Sequence, residues 1–213
     1  MQEQLAGAGF DPGPIDGAWG ARTAAALARA MATAGRCAPL AWGARVSAEF
    51  REKTRSIAAR IGVPTGALMT CMAWETGRTF NPAVLNRAGS GAVGLIQFMP
   101  ATARALGTSS EALARMSAVD QLDYVERYFQ QPHLRGRLGN LGDLYMAILW
   151  PAGVSQPDSY VLWDRGSRPT TYRQNAGLDA NGDGRITRAE ATAKVAALLT
   201  EGLQPGNVWT PSL

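Results

Sequence analysis

A chain of 213 residues is long enough for one substantial core and a small appendage. With 46% apolar and 18% charged residues it reads as globular, and no apolar run approaches the roughly twenty residues that span a bilayer. The formal charge of +4 and pI of about 9.4 favour anionic partners, but no aromatic–basic interleaving, zinc-ligand spacing or basic helix stripe points to nucleic acid.

Met1-Gln2-Glu3-Gln4 lacks the basic start of a secretion signal. A short helix is predicted around Gln4–Ala8, before the turn-forming run Gly9-Phe10-Asp11-Pro12-Gly13-Pro14-Ile15-Asp16-Gly17-Ala18-Trp19-Gly20. A second helix is predicted over Arg22–Ala34. Residues 1–35 therefore read as a small helical hairpin, either a binding unit of its own or an element packed on the main domain. Residues 36–46 read as a linker and 47–213 as the main domain. Cys37 and Cys71 are expected to stay unpaired, because Cys71 falls on a buried helix face.

Ser47–Ile61 carries Phe50, Ile57 and Ile61 among Arg, Lys and Glu, as an amphipathic helix does. The next segment, 63–77, has Pro64 suited to a helix start and Gly77 suited to its stop. Within it Glu75 shares a face with Met72, Cys71 and Leu68, which lie three, four and seven residues back. Thioether, thiol and leucine surroundings disfavour a charged carboxylate, so its pKa is expected to rise. A carboxyl that keeps its proton near neutral pH can hand it to a leaving oxygen. The alternative is a helix-end carboxylate that simply reaches solvent.

Pro100–Leu106 reads as a short helix closed by Gly107. Thr108 and Glu111 form an expected capping box for Glu111–Met116. Ser117–Gln130 places Val119, Leu122, Val125 and Phe129 on one side, a core stripe. His133, the sole histidine, is expected in a loop. Leu141–Leu149 is strongly apolar and ends before Pro151. No strand-length alternation stands out, so the fold class is mainly α and any sheet should be small.

Near the C-terminus, Asp179-Ala180-Asn181-Gly182-Asp183-Gly184-Arg185-Ile186-Thr187-Arg188-Ala189-Glu190 fits the calcium loop of an EF-hand. Asp179, Asn181 and Asp183 supply oxygens at positions 1, 3 and 5, and Gly184 at position 6 permits the sharp turn. The Arg185 carbonyl would take position 7, Thr187 would act through water, and Glu190 can bind bidentately. A helix over Arg188–Leu203 should follow. One such loop points to a structural calcium ion that pins the C-terminal helix, and the alternative is an Asx-rich turn.

Two further blocks carry a resemblance. Glu75-Thr76-Gly77-Arg78-Thr79-Phe80-Asn81-Pro82 and Ser90-Gly91-Ala92-Val93-Gly94-Leu95-Ile96-Gln97-Phe98-Met99-Pro100-Ala101-Thr102-Ala103 resemble the catalytic core of lytic transglycosylases of the lysozyme superfamily. There a glutamate in a Glu-Ser-Gly-Phe-like stretch precedes Gly-Leu-Met-Gln and Met-Pro-x-Thr-Ala. Here Thr76 replaces serine, two residues are inserted before Phe80, and Ile96 replaces methionine. The resemblance implies a lysozyme-like domain that cleaves the β-1,4 bond between N-acetylmuramic acid and N-acetylglucosamine in peptidoglycan. Glu75 would protonate the glycosidic oxygen, then act as base while the muramyl 6-hydroxyl closes a 1,6-anhydro ring. Gln97 would bind sugar amide or hydroxyl groups, and Phe98 and Met99 would line the groove or the core, with the core the better reading for Met99. The family's third block ends in Ala-Tyr-Asn-Ala-Gly. Here it reads Ile148-Leu149-Trp150-Pro151-Ala152-Gly153, with Trp150 in the tyrosine's place. Tyr145, about one turn earlier, is the candidate to hydrogen-bond the glutamate or the sugar, unless it is a core tyrosine. Thr76 and Ser90 are candidates to orient the carboxyl.

The run from Gly9 to Gly20, with Thr23 after it, is similar to the signature of helical peptidoglycan-binding domains. With the missing signal, the basic charge and the modular order, these resemblances point to a phage endolysin or virion-associated lysin, expected as a monomer, whose partner is the peptidoglycan glycan strand. Such a protein is made in the host cytoplasm and acts in the periplasm or cell wall. Glycosidases normally use two acids, and between Glu75 and Asp120 the only other acid is Glu111. Two alternatives stay open. One is a hydrolytic muramidase or chitinase-like enzyme with an unrecognised base, for instance one folding inward from Asp120, Asp123 or Asp143, and the other is a non-catalytic wall-binding protein with a lysozyme fold.

Overall fold

The structure is a computed structural model that describes residues 1–17, 20, 22–27, 38–86 and 89–211. The chain divides into two compact units, Met1–Pro39 with Thr210–Leu213, and Leu40–Trp209. In the first unit, α1 (Gln2–Gly7) starts two residues earlier than the sequence suggests, and residues 22–27 form α2. Gln2 plugs the turn-forming run, its amide nitrogen donating to the Pro14 carbonyl at 2.9 Å and its oxygen accepting from the Gly17 N–H. Buried Thr23 donates to the Pro12 carbonyl at 3.0 Å, so the end of the signature is tied to its start. Ala18, Trp19, Cys37 and the predicted continuation of the second helix to Ala34 lie outside the described residues.

The second unit is helical apart from one small sheet. Helix α3 (Ala48–Ile61) is capped by the Ser47 hydroxyl, which accepts from the Phe50 N–H. Helix α4 (Thr65–Glu75) is buried on every side from Ala67 to Ala73 and packs against α3 and two later helices. A helix that is apolar all round belongs inside a core. Short α5 (Pro100–Ala105) and α6 (Ser110–Arg115) lead to α7 (Ala118–Phe129) and α8 (Leu141–Leu149). The cap of α6 is Ser109, which accepts from Ala112 N–H at 3.1 Å, so the expected Thr108–Glu111 capping box is not formed. The predicted stripe of α7 buries Leu122, Val125 and Phe129, with Val119 at the core's edge.

Strands β1 (Val161–Asp164) and β2 (Arg185–Thr187) pair antiparallel. Between them lies α9 (Pro169–Asn175), and α10 (Arg188–Gly202) follows β2 directly and packs on α4 and α8. Part of the expected linker belongs to this core. Leu40, Ala41 and Trp42 are buried, and Leu40 and Trp209 exchange N–H···O bonds at 2.8 and 3.0 Å. The Trp42 indole donates to the Leu198 carbonyl, an approach that leaves no room for a side chain at Gly202. Among the described residues no helix is long and apolar enough to cross a membrane.

Candidate active site

The burial of α4 delivers Glu75 to the last turn of a helix with no solvent-facing side. Its side chain is half-buried, and desolvation of the carboxyl pushes its pKa from 4.5 to about 8. The negative end of the helix acts in the same direction. Among the described residues no hydrogen bond or ion pair reaches this carboxyl. Cys71 lies one turn back on the same face, buried and free, and its thiol pKa is raised by burial first and by the Glu75 charge second. The expected raised carboxyl is therefore present.

Two phenols lie within electrostatic reach of Glu75. Tyr145 on α8 is only 2% exposed, and burial followed by the Glu75 charge raises its pKa strongly. Its ring meets Trp74 edge-on, with centroids 6.1 Å apart. Tyr128 on α7 is half-buried, and the same two causes push its pKa to about 12. The Tyr128 hydroxyl donates to the Ala147 carbonyl at 2.5 Å, and its ring meets Phe98 edge-on at 6.4 Å. Tyr128 is absent from the residues the sequence singles out, although it lies in the last turn of an otherwise recognised helix.

After Glu75 the chain turns sharply through Gly77, Arg78 and Phe80, all left-handed with φ of 59°, 71° and 52°. This is how the two inserted residues are absorbed, because Phe80 still reaches the core and packs on Phe50. Thr76 closes the turn by donating to the Met72 carbonyl at 2.7 Å and accepting from the Phe80 N–H at 3.0 Å. Its hydroxyl is thus committed to backbone and does not orient the Glu75 carboxyl. Ser90 is exposed and accepts from the Ala92 N–H, so it too serves its own turn.

The second block forms a tight loop built on bridges between Leu85 and Val93 and between Val93 and Phe98. Gln97 is left-handed at φ 53°, an unusual conformation for a residue with a side chain. Its amide nitrogen donates to the Val84 and Gly94 carbonyls, and among the described residues no donor occupies its oxygen. Phe98 is 2% exposed and is a core residue rather than a groove wall. Met99, for which the core is the better of the two readings, is 47% exposed and lies outside the core. The loop hangs on Gln121 of α7, which is fully buried. That amide accepts from Leu95 N–H at 2.6 Å and donates to the Pro82 and Leu113 carbonyls. Gly94, at φ +84°, approaches so closely that a Cβ there would sit 2.3 Å from the Gln121 oxygen.

Trp150 is half-buried, edge-on to Trp163 at 5.7 Å and covered by the Arg168 guanidinium at 5.2 Å. No second acid joins Glu75 among the described residues. Asp120 is exposed beside its capping partner Ser117, Asp123 pairs with Lys53, and Asp143 is buried against Arg188. His133 is exposed in a turn.

The oxygen-rich loop 179–190 runs from α9 through β2 into α10, a helix–loop–helix frame. Asp179 accepts from the Gly182 and Gly184 N–H groups and from the Tyr172 hydroxyl at 2.6 Å, and that phenol is the first cause of its lowered pKa. Asn181 and Asp183 accept from loop N–H groups, and Glu190 forms a capping box with Thr187 while accepting from Ala180 N–H. Three carboxylates, an amide, a hydroxyl and the Arg185 carbonyl make a hard-oxygen set that fits calcium in kind. Among the described residues, however, no three of His, Cys, Asp or Glu converge into a ligand cluster.

No curated protein matches the chain. Residues 54–126, about a third of the chain, match the family model of the Transglycosylase SLT domain. This span holds Glu75, the Gln97 loop and Gln121, and the domain family comprises lytic transglycosylases acting on peptidoglycan.

Proposed function

We propose that the Leu40–Trp209 unit cleaves the β-1,4 bond between N-acetylmuramic acid and N-acetylglucosamine by non-hydrolytic transglycosylation. The Glu75 proton passes to the glycosidic oxygen as the bond to muramyl C1 breaks. The muramyl 6-hydroxyl then bonds to C1 and returns its proton to Glu75, leaving a 1,6-anhydro ring. The observation that carries this reading is one desolvated carboxyl, shifted to about 8, with no second carboxylate beside it among the described residues. An inverting hydrolase needs a second carboxylate about 6.5–9.5 Å away, and a retaining one needs it at about 5 Å. In this reading Gln97 offers its amide oxygen to the sugar, while Tyr145 supports Glu75 from the core. Trp150 presents a half-buried indole where the family has tyrosine. Mass spectrometry of digested sacculi tests it, since anhydromuropeptides support it and reducing muropeptides overturn it.

In the same reading the 179–190 loop binds one structural calcium through Asp179, Asn181, Asp183, Arg185, Thr187 and Glu190. The support is the match of each position to the calcium loop and the helix–loop–helix frame. The role that suits the basic charge, the wall-binding-like residues 1–35 and the catalytic unit together is that of a bacteriolytic phage endolysin or virion-associated lysin.

A further inference from the structure

Gly94-Leu95-Ile96-Gln97 is a β-turn, closed by the Gln97 N–H donating to the Gly94 carbonyl at 3.1 Å. The turn makes no use of the Leu95 N–H, which lies in the core and donates to Gln121 Oε1 at 2.6 Å. That N–H and the Gly94 carbonyl belong to one trans peptide and point in opposite directions. Gripping the N–H therefore aims the carbonyl. Gly94 is left-handed and has no side chain to hinder rotation of this peptide, so the hold must come from outside. Gln121 supplies it from a firm base, because its amide nitrogen is anchored on the Pro82 and Leu113 carbonyls.

Gln97 is where that hold is felt. Its amide nitrogen donates to the Gly94 carbonyl at 3.2 Å and to the Val84 carbonyl at 3.1 Å. The Val84 carbonyl also accepts from the Gly94 N–H, so both acceptors move with Gly94. A primary amide has two hydrogens, and with both spent the oxygen is what Gln97 has left to offer. We propose that Gln121 is a positioning residue for the sugar contact. By holding the 94–95 peptide it keeps the Gly94 carbonyl on the Gln97 amide nitrogen, so that Gln97 presents its oxygen, not its nitrogen, to an N–H or O–H of the glycan. The 94–95 peptide carries the effect between the two glutamines.

This role rests on Gln97 contacting the sugar in the proposed reaction. kcat and KM of the full chain are measured on soluble, uncrosslinked peptidoglycan glycan strands, well below each variant's melting temperature. The variants are Gln121→Met, Gln97→Ala and the two combined. Methionine keeps the length of the Gln121 side chain and removes its grip. Each single variant should raise KM about three- to tenfold, the weight of one net hydrogen bond, with the larger part of the loss in KM rather than kcat. In the double variant the losses should not add, since both remove the same contact. Additive losses, or a fall in kcat with KM unmoved, mark a merely structural Gln121 and overturn the proposal. Gln97→Glu carries the test should Gln121→Met fail to fold. It sets an oxygen against the Val84 and Gly94 carbonyls, so KM should rise as in Gln97→Ala, and a wild-type KM overturns the proposal. A wild-type KM in Gln97→Ala removes the sugar contact and the role of Gln121 with it. Reducing ends in place of anhydro ends overturn transglycosylation alone, because KM reads glycan binding under either chemistry. A wild type inactive on the strands overturns both.

Discussion

Arg188 donates from Nη2 to Asp143 Oδ1 at 3.0 Å, with both side chains about nine-tenths buried. Asp143 is otherwise satisfied by Asn140 and the Ser155 N–H, and Arg188 also reaches the exposed Asp158. The pair joins the first residue of α10, at the end of the oxygen-rich loop, to the first turn of α8, two residues before Tyr145. Removing one partner leaves a buried charge uncompensated. Asp143→Ala should therefore cost about 3–5 kcal/mol, read as a lower urea midpoint. A cost under about 1 kcal/mol, typical of an exposed pair, would show that the pair is effectively solvated.

Glu75→Gln should abolish lysis, with a loss of several orders of magnitude, because no other acid stands ready to protonate the leaving oxygen. Turbidity clearance above about a tenth of wild type, roughly 1.4 kcal/mol of barrier, would reject Glu75 as the acid.

The same substitution should stabilise the protein in a pH-dependent way. The Glu75 pKa is raised in the folded state, so the unfolded chain loses this proton near pH 4.5 while the folded one holds it to about 8. The linked stability is fully present below about pH 4.5 and declines as pH rises toward 8. Glutamine cannot ionise. The melting temperature of Glu75→Gln relative to wild type should then be similar near pH 4 and climb to a plateau by pH 8. A difference independent of pH would mean that the carboxyl is ordinary.

Gln121→Leu removes the amide that brackets the second block and leaves the Leu95 N–H and the Pro82 and Leu113 carbonyls without their partner. Buried unsatisfied groups cost about 1–3 kcal/mol each, so a marked fall in melting temperature is expected. Gly94→Ala should show a comparable fall, because its Cβ meets the same amide. Amide exchange localised to residues 82–98 would show that this loop is what loosens.

Calcium at about a hundredfold above its dissociation constant should stabilise the fold by roughly 2.7 kcal/mol. EDTA should lower the melting temperature and Glu190→Ala should reproduce that loss, with activity at low temperature retained. A melting curve unmoved by chelation in confirmed apo protein would reduce the loop to a turn.

Local signals were readable in the sequence and distant ones were not. The limits of α8 coincide with the structure because Asn140 and Pro151 frame an apolar run. The raised pKa of Glu75 follows from its helix face alone. The cap of α6 falls at Ser109, one residue past the expected Thr108, because the two are equivalent formers at adjacent places. Leu40–Trp42 reads as a linker because its partners, Leu198 and Trp209, lie at the far end of the unit. Gln121 and Tyr128 occupy a helix whose apolar stripe was evident, yet their partners are fixed by tertiary packing, which no local period records. Met99 is placed by the resemblance, and a family motif does not carry the exposure that the turn after left-handed Gln97 gives it here.

The exchange of N–H···O bonds between Leu40 and Trp209, with Arg51 and Arg55 stacked on the Trp209 ring, makes the helical unit a closed parcel with adjoining entry and exit. Chain ends that already touch cost little to fuse, since loop-closure entropy grows only slowly with length. Such a unit is portable. It can be spliced into a loop of another protein, or re-cut at a surface turn after its own ends are joined, without dismantling the helix that carries Glu75.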